Sequence, residues 1–481
     1  MFRRTKIVAT VGPSSDQGDL LGDFIRAGVE VYRINMSHGT HADMQARIGA
    51  LRERQQALSK EIAIFVDLQG PKMRLGDFVD GAVSLQEGAT FCLDLDCPPH
   101  AGTSESVSMD CPGLIASVVP GRILLCDDGK MHLEVIAKSD RVIRCKVLTD
   151  GILASRKGIS LQGGGLKTQA FTDKDHKDLL QACTWGVDYV ALSFPACAAD
   201  IIHVRTILAD IDPTIGIIAK IERKDAIDNL DAIIQSADVI MVARGDLALE
   251  VGDAEVPILQ KHIIKSARMA SKPVIVATHM MESMISCPKP TRAEVSDVAN
   301  AILDGADAVM LSAETACGDY PLAVVNHVDA ICRRIEQHPK MQGSGLHEGL
   351  SVVSSRQAVA QMAMGLANNL SVRCVVSLTL SGTMPCWLSR ICSGIPIYAF
   401  ARDKRVRAKM LLLRDVFPID FADDLPKFGA EILKAVVATL LEQGKISPDE
   451  HVIFVHGEGQ SHRPVSDMLC VHKVQGVEEY V

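Results

Sequence analysis

The stretch "TIGIIAKIERKDAIDNLDAIIQSADVIMVARGD", residues 214–246, decides the fold. It holds two short apolar runs rich in Ile and Val, TIGIIAKIE and ADVIMVARGD, with text of helical periodicity between them. Runs of this kind read as strands buried on both faces, and a strand–helix–strand order predicts a parallel pair. Each run also ends in charge: Lys220 and Glu222 close the first, Arg244 and Asp246 the second.

Outward from this unit the pattern repeats. KIVATVG, VYRINMSHG, IAIFVDLQG and VDYVALSF precede it, and PVIVATHMM and ADAVMLSAE follow. Eight βα units predict a (β/α)8 TIM barrel. The spacing breaks once, after the third run. There VSLQEGATFCLDL and GRILLCDDGKMHLEVIAKSDRVIRCKVL alternate with period two between Gly and Asp-Asp-Gly turns, which predicts a small all-β domain, a β-barrel, inserted after strand three. HPKMQGSGLH, residues 338–347, reads as a linker. Beyond it RCVVSLT, IPIYAFA, VFPIDF and HVIFVHG alternate with helical text, predicting a separate C-terminal α/β domain. The expected boundaries are 1–70 with 169–338 for the barrel, 71–168 for the insertion and 339–481 for the last domain.

At 481 residues and 47% hydrophobic content the chain can fill several cores. A net charge of -9 with 4% aromatics gives little basis for nucleic-acid binding. No uncharged apolar run reaches the roughly 20 residues of a membrane helix, and the start, MFRRTKIVATVGPSSD, does not read as a signal peptide. A cytoplasmic protein without a membrane partner is expected. The 14 cysteines form no C-x-x-C pair and read as reduced, buried thiols.

In such a barrel the chemistry sits at the C-terminal strand ends. Residues two apart share a face, so Arg33, Asn35 and Ser37 are expected together, as are Lys220 with Glu222, Arg244 with Asp246, and Ser312 with Glu314. Charges there are rare unless paired, and salt bridging is the plain alternative to function. Glu222 and Asp246 supply hard oxygens for Mg²⁺ or Mn²⁺, while Arg33, Arg74 and Lys220 suit phosphate. Metal plus cations around a cleft points to phosphate chemistry. His38 and His41 could form an H-x-x-H metal pair, but no carboxylate stands in register and a loop histidine near a nucleotide is the preferred reading. Cys197 after strand four has no evident base and reads as a plain thiol.

These segments resemble pyruvate kinase. The resemblance runs through "KIVATVGPSS", "YRINMSHG", "DLQGPKMRL", "DDG", "AKIERKDAIDNLDAI", "MVARGDLALEVG", "KPVIVATHMMESM", "PTRAEVSDVANAILDGADAVMLSAETACGDYP" and "LSGTMP", over essentially the whole chain. It implies phosphoenolpyruvate and ADP as substrates, an insertion closing as a lid, a C-terminal domain taking a phosphorylated effector, and a homotetramer. It implies that Lys220 neutralises the phosphoryl group, that Glu222 and Asp246 hold the metal, and that Gly245 with Asp246 holds the substrate carboxylate. Thr278 would lie beside the enolate carbon, Ser312 would join the catalytic set, and Arg33, Asn35, His38, Arg74 and Lys157 would meet nucleotide and phosphate. Asn35, Ser37, Asp67 and Leu68 match the K⁺ region of the family. Lys72, with Leu68, Gln69 and Leu75, matches the K⁺-independent branch, its ammonium expected near Asp67 in place of the ion. The effector loop would be Thr379, Leu380, Ser381, Gly382 and Thr383, and a sugar monophosphate or AMP is the expected effector. His279, Ala248 and Thr383 depart from the usual Gln, Gly and Arg.

Two rival readings stand beside this one. A barrel lyase or mutase acting on phosphoenolpyruvate or pyruvate would not need Arg33, Asn35, Lys72 and Arg74, nor Lys157. A sensor that had lost its chemistry would have broken Lys220, Glu222, Asp246 or Thr278, and all four stand.

Overall fold

The computed structural model describes residues 3–165, 169–338, 354–391, 393–421, 430–456 and 468–475. Eight parallel strands close into a barrel: Lys6–Val11, Val31–Asn35, Ala63–Asp67, Tyr189–Leu192, Gly216–Ile221, Val239–Ala243, Val274–Ala277 and Ala308–Leu311. They are barrel strands one to eight below. Strand one pairs with both strand two and strand eight, which removes every open edge.

Alternation divides each strand between two cores. One set of side chains, Val8, Val31, Phe65, Ala191, Ile218, Met241, Ala277 and Met310 among them, fills the barrel interior with Ala408, Leu411 and Leu412 of the C-terminal domain. The other set packs outward under the helices, including Ile7, Ile34, Val66, Val190, Ile217, Ile240 and Val276. Both faces are apolar, hence the unbroken runs in the sequence.

The insertion has its own apolar core, to which Met73 and Leu75 belong. It contains a six-stranded sheet and a two-stranded pair, Ala82–Leu85 with Gly151–Ala154, rather than one closed ring, and a short helix, Pro112–Ser117, interrupts the expected all-β text. The Asp-Asp-Gly turn is real: Asp127, Asp128 and Gly129 take φ of 50, 54 and 85°.

The last domain is a five-stranded sheet in the order Val416–Asp420, Ile397–Ala401, Cys374–Leu378, His451–His456, Met468–Lys473. Its fifth strand is antiparallel and was not expected. The domain docks on the barrel through buried ion pairs, Arg390 with Asp307 and Arg4 with Asp415. The linker read at 338–347 lies, apart from His338, outside the described residues. Cysteines are not uniformly buried: Cys126, Cys145, Cys332 and Cys374 are, but Cys287 and Cys317 are exposed.

Candidate active site

One step past the apolar interior, the inward positions of strands one to five turn polar: Thr10, Arg33, Asp67, Ser193 and Lys220. They form one network. Arg33 donates from Nε to Asp67 Oδ2 at 2.7 Å and from Nη1 to Thr10 Oγ1 at 3.2 Å. Lys220 Nζ stands 3.2 Å from Asp67 Oδ1 and donates to Ser193 Oγ at 2.7 Å. Ser193 in turn donates to the Leu68 carbonyl at 2.7 Å. Asp67 is 1% exposed, so without these cations its charge would be untenable.

Burial pushes the Asp67 carboxyl up, but the Lys220 and Arg33 charges outweigh it and hold the group below its ordinary value. Burial likewise opposes the Lys220 charge, and Asp67 and Glu222 overcome it, leaving the ammonium more firmly protonated than a free lysine. Glu222 differs. Burial pushes its carboxyl up to about 7, with Lys220 only partly offsetting it. Its Oε1 accepts from the Phe194 amide at 2.7 Å. Its Oε2 is buried without a hydrogen bond, and Lys220 reaches it only at an ion-pair distance of 3.4 Å.

A buried carboxylate oxygen without a hydrogen bond is one that a cation can satisfy. Glu222 and Asp246, which press on each other electrostatically, therefore fit a divalent ion. Among the described residues no cluster of three or more His, Cys, Asp or Glu could hold a metal. Two carboxylates suit Mg²⁺, which completes its shell with water and substrate oxygens.

Asp246 lies in the first turn of helix Arg244–Val251, and Lys72 Nζ stands 3.1 Å from its Oδ1. This corrects one expectation: Lys72 pairs with Asp246, whereas Asp67 is met by Arg33 and Lys220. Of two further expected pairs one dissolves, and the other meets through a backbone amide. Arg244 turns away to Asp297 at 2.7 Å and to the Thr278 carbonyl at 2.6 Å, because the inward phase of strand six is Val239, Met241 and Ala243. Glu314 is 2% exposed and accepts from the Ser312 amide at 2.6 Å and the Met281 amide at 3.2 Å, bracing the loops after strands seven and eight.

Thr278 sits just past strand seven at φ 68°, followed by His279 at φ 52°; left-handed backbone at two successive non-glycine residues is strain of the kind found at functional sites. Thr278 Oγ1 accepts from the Gly245 amide at 2.8 Å, so that amide is engaged rather than open. His279 Nε2 lies 3.9 Å from Glu282 Oε2.

The nucleotide candidates are divided between the lid, with Arg74 and Lys157, and the end of barrel strand two, with Asn35 and His38. Arg74 donates to the Arg156 carbonyl at 3.1 Å, and Lys157 pairs with Asp127 at 2.7 Å. Asn35 accepts from the Ser37 amide at 3.1 Å. His38 feels Arg74, Arg33 and Lys72, which places it in one field of positive charge. His41 is elsewhere, bonded to Asp178 at 2.7 Å, so the two histidines do not share a metal. Leu68 is buried, leaving only its backbone to serve a cation. Cys197 caps helix Ala198–Ile211, its Sγ donating to Asp200 Oδ2 at 3.8 Å. The cleft between lid and barrel is lined by Pro71, Lys72, Ile159, Phe194, Arg223 and Asp246. In the C-terminal domain Ser381 and Thr383 share a hydrogen bond of 2.9 Å and the Gly382 amide donates to Thr379 Oγ1 at 3.0 Å, so the loop is an ordered turn.

Residues 2–325 match the family model for the pyruvate kinase barrel domain, and residues 357–472 the one for its alpha/beta domain. The chain belongs to the pyruvate kinase family. It is 43% identical to the pyruvate kinase of Haemophilus influenzae over 98% of this chain and 99% of that one. Pyruvate kinase II of Salmonella typhimurium is 42% identical, with 96% of each chain covered. The crystal structure of a pyruvate kinase from Cryptosporidium parvum superposes with a TM-score of 0.90 at 31% identity, over 98% of this chain and 96% of that chain. As a member of the pyruvate kinase family the enzyme passes the phosphoryl group of phosphoenolpyruvate to ADP, giving pyruvate and ATP.

Proposed function

We propose that the transfer takes place over the polar layer at the mouth of the barrel, with Lys220 and Arg33 facing the phosphoryl group as it moves. The observation that carries this is the Lys220 ammonium, largely enclosed and held between Asp67 at 3.2 Å, Ser193 at 2.7 Å and Glu222 at 3.4 Å. A loose phosphoryl transition state calls for alignment and fixed positive charge rather than a covalent partner, and this layer supplies both.

Glu222 and Asp246 would hold Mg²⁺ or Mn²⁺, which when bound neutralises charge on substrate oxygens. Thr278 and Ser312 would face the enolate side. In support, the Gly245 amide donates to Thr278 Oγ1, and Ser312 continues the phase of Ala308 and Met310 at the end of strand eight. Arg33, Asn35, His38, Arg74 and Lys157 would meet ADP, and residues 71–168 would close over it as a lid on a barrel of residues 1–70 and 169–338.

K⁺ would not be required. Lys72 would supply the positive charge that the ion supplies elsewhere in the family, although its direct partner is Asp246 rather than Asp67 of the region Asn35, Ser37, Asp67 and Leu68. The loop Thr379–Thr383 of the domain 339–481 would take a sugar monophosphate or AMP, its hydroxyls and turn amides suiting phosphate. A cytoplasmic homotetramer completes the reading.

The test of the metal site is ATP formation from phosphoenolpyruvate and ADP in Mn²⁺-buffered solution. Glu222→Gln should demand far more Mn²⁺ for half-maximal rate. An unchanged Mn²⁺ requirement in that variant would remove Glu222 from the site.

A further inference from the structure

Lys72 lies at the root of the lid, between two points of attachment. On one side the Gly70 amide donates to Asp175 of the barrel at 3.0 Å, and on the other Met73 is buried in the lid core. Its ammonium leaves that root, crosses the cleft and meets Asp246 Oδ1 at 3.1 Å, the two side chains 29 and 23% exposed.

Asp246 lies in the first turn of helix Arg244–Val251, whose far end also holds the lid: the Glu250 carbonyl accepts from the lid's Gly163 amide at 3.0 Å. The lid is thus fastened to one barrel helix by a backbone bond at its end and by an ion pair at its start. The pair at the start uses one of the two carboxylates that suit the divalent cation. A divalent cation held by Asp246 would set a double positive charge beside the ammonium, and the repulsion between the two would weaken the hold of each on the carboxylate.

We propose that Lys72 is a built-in competitor for the metal: its ammonium holds Asp246 in the metal-free enzyme and loosens that hold when the cation binds. This rests on the reading of Glu222 and Asp246 as the metal ligands. It follows that loading the metal loosens the lid root from Asp246. The loosened ammonium stays in the field of His38, Arg33 and Arg74, where the substrate phosphates are expected. Metal affinity in the absence of substrate is therefore weaker than the two carboxylates alone would give.

The test is direct Mn²⁺ binding to the full-length, metal-stripped enzyme without substrates, read from the electron paramagnetic resonance signal of free Mn²⁺. Lys72→Met should lower the dissociation constant by roughly three- to tenfold, the scale of a partly exposed ion pair plus the loss of a neighbouring positive charge. Lys72→Arg, which keeps the charge, should stay near wild type and guards against a general disturbance of the lid root. Glu222→Gln and Asp246→Asn should each nearly abolish binding. Equal affinity in wild type and Lys72→Met, with binding still lost in Glu222→Gln, overturns the competition while leaving the metal site intact. Undiminished binding in both carboxylate variants overturns the site, and the competition with it.

Discussion

The ammonium of Lys220 lies 3.2 Å from Asp67 Oδ1, and this contact joins the fifth barrel strand to the third across the mouth of the barrel. Arg33 holds the other oxygen of the same carboxylate at 2.7 Å. Asp67 thus aims two cations at one place, and that place is where a phosphoryl group would be neutralised. Asp67→Asn should keep the size of the side chain and lose the charge that orders Lys220 against Arg33. A fall of about 10²-fold in kcat/KM is expected, the scale of a small misplacement of catalytic groups. Near wild-type steady-state kinetics would show that the two cations hold their positions without it.

His38 offers a pH readout of the same field. Partial burial, and after it Arg74, Arg33 and Lys72, hold its imidazole below the ordinary 6.5. The neutral form is favoured in the folded protein, so between 6.5 and that lowered value the unfolded chain binds more protons. The contribution of His38 to stability is therefore full above this window and falls as the pH drops through it. An NMR titration of the ring should give a midpoint below that of a free histidine, moving up when Arg74→Gln removes one cation or when ADP binds. A midpoint unmoved by either change would place the ring outside the phosphate field.

The barrel and the C-terminal domain are joined by a buried charge pair. Arg390 and Asp307 are 3 and 1% exposed, and Asp307 also accepts from the Arg414 and Val274 amides at 3.0 and 2.9 Å. Arg390→Met leaves that carboxylate without its ion partner, and such losses cost about 3–5 kcal/mol. The urea midpoint for loss of activity should drop clearly, while kcat in the absence of urea should hold. An unchanged midpoint would mean that the interface does not depend on this pair.

Monovalent cations test Lys72 in another way. Activity in tetramethylammonium buffer free of K⁺ should match that in K⁺, and Lys72→Glu should create a requirement for K⁺. A wild-type enzyme nearly inactive until K⁺ is added would refute the proposed independence.

The effector loop can be tested by substitution. Ser381→Asp places a carboxylate where phosphate is expected, so it should abolish any shift in half-saturation for phosphoenolpyruvate caused by ribose 5-phosphate, glucose 6-phosphate or AMP. A shift that survives in the variant would move the effector site elsewhere.

How much of this was legible follows from where each residue sits on its strand. The eight strands could be read because both faces are buried, and Lys220 and Asp67 because a charge in the inward phase of such a strand stands out. Ser193 and Thr10 were missed, since a lone hydroxyl in an apolar run looks like any strand residue. Arg244 falls in the outward phase of strand six, and Glu314 lies past the end of strand eight, where a two-residue period no longer fixes direction; Thr278 and His279, at positive φ, show how sharply the chain turns past a strand end. The strand Met468–Lys473 opens on four apolar residues but lies at the sheet edge, where they stay exposed or half-buried. The partner of Lys72 could not be read at all. It depends on the insertion folding back over helix Arg244–Val251, a tertiary contact that spacing along the chain does not encode.

The most direct test of the central claim is turnover of Lys220→Met with phosphoenolpyruvate, ADP and Mg²⁺, measured on protein shown to be folded by circular dichroism. With the charge facing the transferring phosphoryl group gone, kcat should fall by about 10³-fold or more, since the lost interaction belongs mainly to the transition state. Near-normal turnover in the folded variant would contradict the account.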